Sequence, residues 1–164
     1  MAAGGAKVPR TGSGLQAGSS IPLLNGRVRG VSGVTEDRLR TIPLFAHVDE
    51  GGLGRIAACS NEFEARAGHV LIEVGRPGAG LFLVEEGTLT VELPGGQQTE
   101  RGPGEFVGEL ALLTDAAHTA RVRAATDVRC LAISRRDFAT LLEEHPRVAL
   151  DMLPVLARRL VERL

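Results

Sequence analysis

The chain has 164 residues, two cysteines and a formal net charge of −1, from 19 basic and 20 acidic residues. This length predicts one domain, large enough to bury about two-thirds of the surface that its unfolded chain exposes. Because the charges nearly cancel, no global field attracts the chain to nucleic acid or to an anionic membrane. The sequence has neither an apolar run of about 20 residues nor an apolar N-terminal segment, so we expect a cytoplasmic protein.

The first 60 residues divide into a tail and a helical entry. Residues 1–34 are rich in Gly, Ala and Ser and show no periodicity, so we expect a disordered or loosely attached tail. Residues 35–60 predict a helical segment, in which Thr35 and Asp49 are the N-caps of two short helices. Cys59 and Cys130 have no metal-ligand spacing, and we interpret both as reduced thiols.

Residues 61–134 have short apolar runs between frequent turns, a pattern typical of a small β-barrel or sandwich. Leu89, Val91 and Leu93 alternate with polar residues, which predicts a strand with one buried face. The predicted strands are 62–66, 70–74, 81–85, 88–93, 97–101, 118–124 and 128–133.

The stretch 102–124 within this region has a pattern of its own. Gly102-Pro103-Gly104 predicts a turn, and 108–113 predicts one short helical turn. The free N–H groups at the start of that turn carry partial positive charge, which suits an anion. After a loop at 114–117, the predicted strand 118–124 brings the chain back past the same place.

Residues 135–164 predict two C-terminal helices. Ser134 is a good N-cap for the first, and Pro146 begins the second, which contains Pro154. An apolar stripe of the second helix either packs on the barrel or pairs with another copy through 147–164; its residues are Leu153, Leu156, Leu160 and Leu164.

No pattern in the chain predicts catalysis. The four histidines are scattered without paired-ligand spacing, and there is no activated Ser or Cys arrangement and no phosphate-binding loop lysine. No helix-turn-helix pattern is found through Leu164. We therefore expect no enzyme activity, no catalytic residue, no metal site, no cofactor, no membrane span and no nucleic-acid partner.

Two motifs carry a resemblance to a known family. The first is Val107-Gly108-Glu109-Leu110-Ala111-Leu112, then a gap of five residues and His118-Thr119-Ala120-Arg121-Val122. The second, upstream, consists of Leu71-Ile72, Gly75, Gly78, the run Leu81–Val84 and Gly87. With these motifs the stretch from about Thr35 to Leu164 resembles the cyclic nucleotide-binding domain family, the sensor module of catabolite activator proteins and protein kinase A regulatory subunits.

The resemblance implies a mainly β fold with flanking helices, a jelly-roll β-barrel with the phosphate-binding cassette at 102–124. It also implies a signalling role as a sensor of cAMP, or alternatively cGMP. Our expectations of a bacterial source and of neither a catalytic nor a DNA-binding module come instead from the Arg-, Ala- and Gly-rich composition and from the lack of such patterns in the sequence. Glu109 would accept the ribose 2′-OH, while Thr119, the backbone N–H groups of 119 and 120, and His118 would hold the phosphate. The implied binding residues are Gly108, Glu109, Leu110, Ala111, His118, Thr119 and Ala120, with Leu71, Leu81, Leu83 and Val122 lining the base.

The chain departs from the family pattern most at His118, which stands where the family has the arginine that holds the cyclic phosphate. A smaller departure is Arg76, where the family usually has a small polar or acidic residue. The guanidinium of arginine is planar and permanently charged, whereas the imidazole of histidine titrates near pH 6.5. Losing a charge-assisted hydrogen bond, worth about 1.5–3 kcal/mol, would weaken nucleotide binding roughly ten- to a hundredfold. Arg121 could replace the missing arginine only from the same face of the strand, but strand alternation predicts that it lies on the face opposite His118. The alternative hypothesis is therefore a degenerate member of the family that serves as a protein docking or assembly module.

Overall fold

The computed structural model describes the backbone of residues 27–29 and the whole of residues 33–163. The strands in this part of the chain are β1 (Arg27–Arg29), β2 (Ser60–Ala65), β3 (Val70–Ile72), β4 (Gly80–Glu86), β5 (Leu89–Glu92), β6 (Gln98–Arg101), β7 (Phe106–Val107), β8 (Arg121–Ala124) and β9 (Val128–Ser134). The helices are α1 (Glu36–Arg40), α2 (Glu50–Cys59), α3 (Glu109–Leu113), α4 (Arg135–Glu144) and α5 (Pro146–Val161), with a 3-10 turn at Pro43–Phe45.

The strands form two antiparallel sheets. One has the order β1-β2-β9-β4-β7 and the other the order β3-β8-β5-β6. The largest pairings join β9 to β2 and to β4, for example Phe63 opposite Cys130 and Phe82 opposite Ala132. Together with the flanking helices, this arrangement confirms the predicted fold class, a mainly β jelly-roll barrel.

Two apolar cores lie on opposite faces of the five-stranded sheet. Alternation along β4 directs Phe82 and Val84 into the cluster between the sheets, together with Phe63 and Val122. The other face of β4 carries Leu81 and Leu83, which belong to the cluster with the helices; its helical members include Leu39, Ile56, Phe138 and Met152. The helices are therefore held on the barrel by one wall of the sheet.

The helix boundaries follow the predicted caps. The Asp49 carboxylate accepts a hydrogen bond from the Gly52 N–H at 2.7 Å, and the Ser134 hydroxyl accepts one from the Asp137 N–H at 3.1 Å. Pro146 is the first residue of α5, as predicted, and α5 continues through Pro154 to Val161.

Three features differ from the predicted elements. Residues 27–29 form β1 on the edge of β2, although they fall in the predicted tail; residues 1–26 and 30–32 of that tail lie outside the described residues. The two-residue strand β7 was not predicted, because its length is too short for a pattern. The last predicted strand before β9 begins at Arg121 rather than at His118.

Candidate functional site

Two glycines with positive φ shape the entry to α3. Gly104, at φ 85°, lies in the predicted turn, which is closed by the Glu105 N–H donating to the Gly102 carbonyl at 3.1 Å. Gly108, at φ 91°, is the N-terminal flanking residue of α3. A Cβ at position 108 would lie 2.6 Å from the Gly80 carbonyl oxygen, so the chain passes close against β4. The predicted turn and the predicted helical turn are both confirmed.

Arg135, the first residue of α4, fixes the other end of α3. Its Nη2 donates to the Ala111 carbonyl at 3.2 Å, its Nε to the Gly78 carbonyl at 2.9 Å, and its Nη1 to Asp115 at 2.8 Å. One guanidinium thus joins α3, the loop after it and the loop before β4. Since α3 has only five residues, these contacts supply stability that its length cannot.

The backbone of His118 explains why the strand begins later than predicted. The His118 N–H donates to the Arg76 carbonyl, and the His118 carbonyl accepts from the Gly75 N–H, each at 2.9 Å. An isolated bridge also joins Pro77 to Ala117. This part of the loop is therefore paired with the turn at 75–77 rather than with a strand, and ladder pairing starts only at Arg121.

A cavity of about 210 Å³ lies between α3, the following loop, the four-stranded sheet and α5. It brings together eight of the predicted site residues, from both halves of the first motif; these are Gly108, Glu109, Leu110, Ala111, His118, Thr119, Ala120 and Val122. Its volume is below the range of about 300–1,000 Å³ that is typical of ligand pockets, so it has room for no more than one small molecule. The cavity contains open space and is not filled by protein side chains.

Three predicted base-contacting residues do not line this cavity. Leu81 and Leu83 are fully buried in the core beneath the helices, because β4 pairing directs them away from the other sheet. Leu71 is buried in the core between the sheets, and its neighbour Ile72 reaches the cavity. The apolar wall is formed instead by Ile72, Val91, Val107 and Val122.

The carboxylate of Glu109 is already engaged by the C-terminal helix. Arg159 of α5 donates from Nη1 to Glu109 Oε1 at 2.7 Å and from Nη2 to the Phe106 carbonyl at 2.8 Å. Its guanidinium also stacks 4.6 Å from the centre of the Phe106 ring. Both charged side chains are about nine-tenths buried or more. The residue predicted to bind ribose is therefore linked directly to α5.

Positive groups outnumber negative ones around the cavity. Arg101, Arg159 and Arg163 line it, and Glu109 is the one carboxylate among its lining residues; His118 adds a positive charge only when it is protonated. Arg121 does not line it, because its side chain points outward and pairs with Glu73 at 3.0 Å. A ligand that carries negative charge fits this surplus of cationic groups.

Sequence reasoning missed Arg101 and Arg159, although each had a signal. Arg159 shares the buried helical face of Val148 and Met152, where a charged residue requires a partner. Arg101 lies on the inward face of β6, two residues after the half-buried Thr99. The periodicity of β6 and of α5 indicates that each of these arginines is buried. The groups that each arginine contacts can be identified only from the three-dimensional structure.

His118 lies on the cavity surface with its ring half-buried. Among the described residues its ring has no hydrogen-bond partner. Burial, and secondarily the charge of Arg135, lowers the pKa of His118 below its ordinary value. The imidazole is therefore neutral at neutral pH in the free protein. A bound phosphate would oppose both effects and raise this pKa.

The lowered pKa of His118 predicts how the stability of the protein and its affinity for an anionic ligand depend on pH. Because the unfolded chain binds the proton more readily, the stability of the free protein should decrease as the pH falls through about 6.5. An anionic ligand should instead bind more tightly over the same range, because binding takes up a proton at His118. Calorimetry of nucleotide binding between about pH 5.5 and 8 measures this effect. The variant His118→Gln should show a flat profile, and a wild-type profile equally flat would contradict the assignment.

A second prediction concerns Gly108. Its left-handed conformation and the nearby Gly80 oxygen should both penalise Gly108→Ala, which we expect to lower the free energy of unfolding by roughly 3 kcal/mol. Gly95 is the matched control, because it has a φ of 90° and a Cβ added there would have nothing within 4 Å. Gly95→Ala should cost only about 1 kcal/mol. Equal losses in urea denaturation would show that the close approach to β4 is unimportant.

The barrel, the α3 cassette and the cationic cavity define a small-molecule-binding domain of the cyclic nucleotide-binding type. A family model described as "Cyclic nucleotide-binding domain" matches residues 62–145, about half of the chain. The chain therefore belongs to the cyclic nucleotide-binding domain family, and the resemblance inferred from its motifs is confirmed. The family's domains are regulatory, which supports the sensor class of function.

Relatives show where such domains occur. A cyclic nucleotide-gated potassium channel of Mesorhizobium japonicum is 35% identical over 108 residues, which are 66% of this chain and 30% of the channel. A cGMP-dependent protein kinase of Caenorhabditis elegans is 39% identical over 85 residues, 52% of this chain and 11% of the kinase. The catabolite activator protein of Thermus thermophilus superposes with a TM-score of 0.64 at 30% identity, covering 74% of this chain and 59% of that one. This chain thus spans less than a third of the first two relatives.

Two structural features associated with other functions are absent from the described residues. Within residues 27–29 and 33–163, no helix is both long and apolar enough to cross a membrane. In the same part of the chain, no group of three or more His, Cys, Asp or Glu residues is placed to hold a metal ion.

Proposed function

We propose that this chain is a sensor that binds one 3′,5′-cyclic purine nucleotide in the cavity beside α3. The observation that carries the proposal is the meeting of Gly108 and Glu109 with His118, Thr119 and Ala120 around one cationic cavity. The resemblance favours cAMP as the ligand, with cGMP as the other candidate. Binding and release need no catalytic group, so we assign no enzyme activity and no cofactor to this role.

In the proposed complex the ribose, the phosphate and the base of the ligand each contact a different set of residues. The ribose 2′-OH donates to Glu109, which is 4% exposed and is the cavity's carboxylate. The phosphate lies beside His118, where the Thr119 hydroxyl and the backbone N–H groups of Thr119 and Ala120 are donors. The base lies against the apolar side chains of Val91 and Val122.

The ion pair between Arg159 and Glu109 is the proposed route from ligand to output. A ribose hydroxyl that binds Glu109 approaches the same carboxylate that holds α5 through Arg159. Ligand binding then changes the free energy of this contact and shifts the population of α5 positions. Amide hydrogen exchange measures this directly, and we expect changed protection in α5 when nucleotide is added.

Calorimetry with ligand analogues tests the proposal without altering the fold. We expect cAMP or cGMP to bind, and the 2′-deoxy analogue to bind at least tenfold more weakly, because the hydrogen bond to a charged acceptor is worth about 1.5–3 kcal/mol. The open-chain 5′-monophosphate is the control for the cyclic phosphate. Absence of heat with either cyclic nucleotide at millimolar concentration would end the proposal.

An exposed stripe on α5 favours a second role, pairing with another copy of the chain. Leu150, Leu153, Leu160 and Val161 are all more than half exposed. Their spacing places them along one side of the helix, away from the buried Met152 and Arg159. The predicted stripe is thus partly revised, because Leu156 packs against the core and Leu164 lies outside the described residues. We propose that this stripe is the contact of a homodimer.

Sedimentation of two variants tests this second role. The double variant Leu153→Glu/Leu160→Glu should convert a dimer to a monomer, because it places charges on the contact at positions that are exposed in the single chain. Arg158→Glu, on another side of the same helix, introduces a charge change of the same sign and should leave the dimer intact. A wild-type chain that sediments as a monomer would exclude the homodimer.

A further inference from the structure

A second cavity lies between β6 and the C-terminal end of α5, and we call it the β6–α5 cleft. Residues 93, 97–99, 101, 159, 162 and 163 line it. Its volume is about 340 Å³, which falls within the range of about 300–1,000 Å³ that is typical of ligand pockets. The proposed nucleotide complex makes no use of residues 97–99 or 162, so the cleft is space for a different ligand.

Positive charge exceeds negative charge among the residues that line the cleft. Three of them are arginines, and Glu162 is the one carboxylate. Arg159 is already paired with Glu109 at 2.7 Å. Arg163 is exposed, and within the described residues its side chain forms neither a hydrogen bond nor an ion pair. The cleft can therefore accept an anion without breaking an existing contact of Arg163.

Arg101 is an arginine buried at the wall of the cleft, with its side chain only 8% exposed. Its Nη1 donates to the Thr99 hydroxyl at 2.9 Å and to the Glu100 carbonyl at 2.7 Å. Within the described residues its Nε has no hydrogen-bond partner, and the Glu105 carboxylate lies 3.8 Å from it. Burial of a charged donor without an acceptor is costly. An anion held in the cleft would reduce that cost.

The rest of the cleft wall is polar. Gln97 and Gln98 contribute amides and Thr99 a hydroxyl, while Leu93 is the one aliphatic side chain among the lining residues. Amide and hydroxyl groups both donate and accept hydrogen bonds, so they suit the hydroxyl groups of a ligand. A phosphate group alone would fill only a small part of the cleft. The wall therefore favours an anion that carries a hydroxylated carbon skeleton.

We propose that the β6–α5 cleft binds a phosphate monoester of a small hydroxylated molecule, such as a sugar phosphate. The phosphate contacts Arg101 and Arg163, because planar guanidinium groups pair well with phosphate oxygens. The hydroxyl groups contact Gln97 and Gln98. This site does not depend on the proposed function. Since all three arginines also line the cavity beside α3, its test has to separate the two places.

Titration calorimetry of the wild-type chain at constant ionic strength tests the ligand class. The ligands are glucose 6-phosphate, ribose 5-phosphate, glucose and inorganic phosphate. We expect at least one sugar phosphate to bind about fivefold or more tightly than inorganic phosphate, and glucose to give no heat. Inorganic phosphate that binds as tightly as both sugar phosphates would overturn the proposed ligand class. Absence of heat with both sugar phosphates at millimolar concentration would overturn the site.

Two charge variants in the cleft should act in opposite directions. Gln98→Glu adds a carboxylate beside the proposed phosphate and should weaken sugar phosphate binding about fivefold or more, while Glu162→Gln removes one and should tighten it. Neither residue lines the cavity beside α3, so the affinity for cyclic nucleotide should stay unchanged in Gln98→Glu. Glu143→Gln, an equal charge change at an exposed position of α4, is the matched control and should have no effect.

Thr119→Glu provides the opposite comparison, because Thr119 lines the cavity beside α3 and not the cleft. It should weaken cyclic nucleotide binding and leave sugar phosphate binding unchanged. Sugar phosphate binding that is lost in Thr119→Glu and kept in Gln98→Glu would place the phosphate beside α3; this result would overturn the cleft site and leave the proposed function intact. A wild-type chain that binds sugar phosphate but no cyclic nucleotide would support the cleft site and end the proposed function.

Discussion

His118→Arg is expected to tighten the binding of cAMP and cGMP alike by about ten- to a hundredfold at neutral pH. The physical reason is that burial and Arg135 lower the pKa of His118, so the wild-type imidazole meets the phosphate largely as a neutral group. Arginine carries a permanent charge and a two-pronged set of donors. Arg135 itself should not oppose the change strongly, because it is paired with Asp115 at 2.8 Å.

The matched control for this variant is His47→Arg. His47 is exposed and pairs with Asp151 on α5 at 2.8 Å, and it does not line the cavity. The His47→Arg variant should therefore leave the nucleotide affinity unchanged. Titration calorimetry of both variants beside the wild-type chain gives the comparison. If His118→Arg leaves the affinity unchanged, the phosphate does not lie beside position 118, and the docking-module hypothesis becomes the better account.

Glu109→Ala is expected to lower both stability and affinity. Removing one partner of a buried ion pair costs about 3–5 kcal/mol, because Arg159 would remain buried without its carboxylate. In a chain of this size the melting temperature should fall by about 10 °C. Nucleotide affinity should fall at least tenfold, through loss of the acceptor for the ribose hydroxyl.

A double-mutant cycle separates these two effects. Arg159→Met keeps much of the packing over Phe106, and the double variant Glu109→Ala/Arg159→Met leaves no unpaired charge at this place. It should recover most of the lost stability but none of the lost affinity. Thermal unfolding and calorimetry on the four proteins provide the readouts. A Glu109→Ala variant that is as stable as the wild type would show that the ion pair has no structural importance.

Local patterns predicted most of the fold. The caps at Asp49 and Ser134, the turn at 102–104 and the helical turn after Gly108 depend on contacts within a few residues, and all were found. The strand alternation of Leu89 and Val91 was likewise correct. Such features are predictable because the residue that causes each of them is a near neighbour along the chain.

Features set by distant parts of the chain were harder to predict. Every residue from Gly80 to Val84 is buried, so nothing in the sequence indicates which face of β4 points toward the helices. The loop at His118 pairs with the turn at 75–77, more than 40 positions earlier in the chain. Arg159 meets Glu109 across 50 positions. Periodicity shows that such residues are buried, but it does not show which partner they reach.

A structure of the chain with cGMP, or with cAMP where that binds more tightly, is the most direct test of the central claim. We predict nucleotide density in the cavity, with the ribose 2′-OH on the Glu109 carboxylate and the cyclic phosphate beside His118 and Thr119. We also predict a changed contact between Arg159 and Glu109. A cavity without nucleotide at millimolar ligand, with Arg159 still 2.7 Å from Glu109, would contradict the claim that this domain senses a cyclic nucleotide.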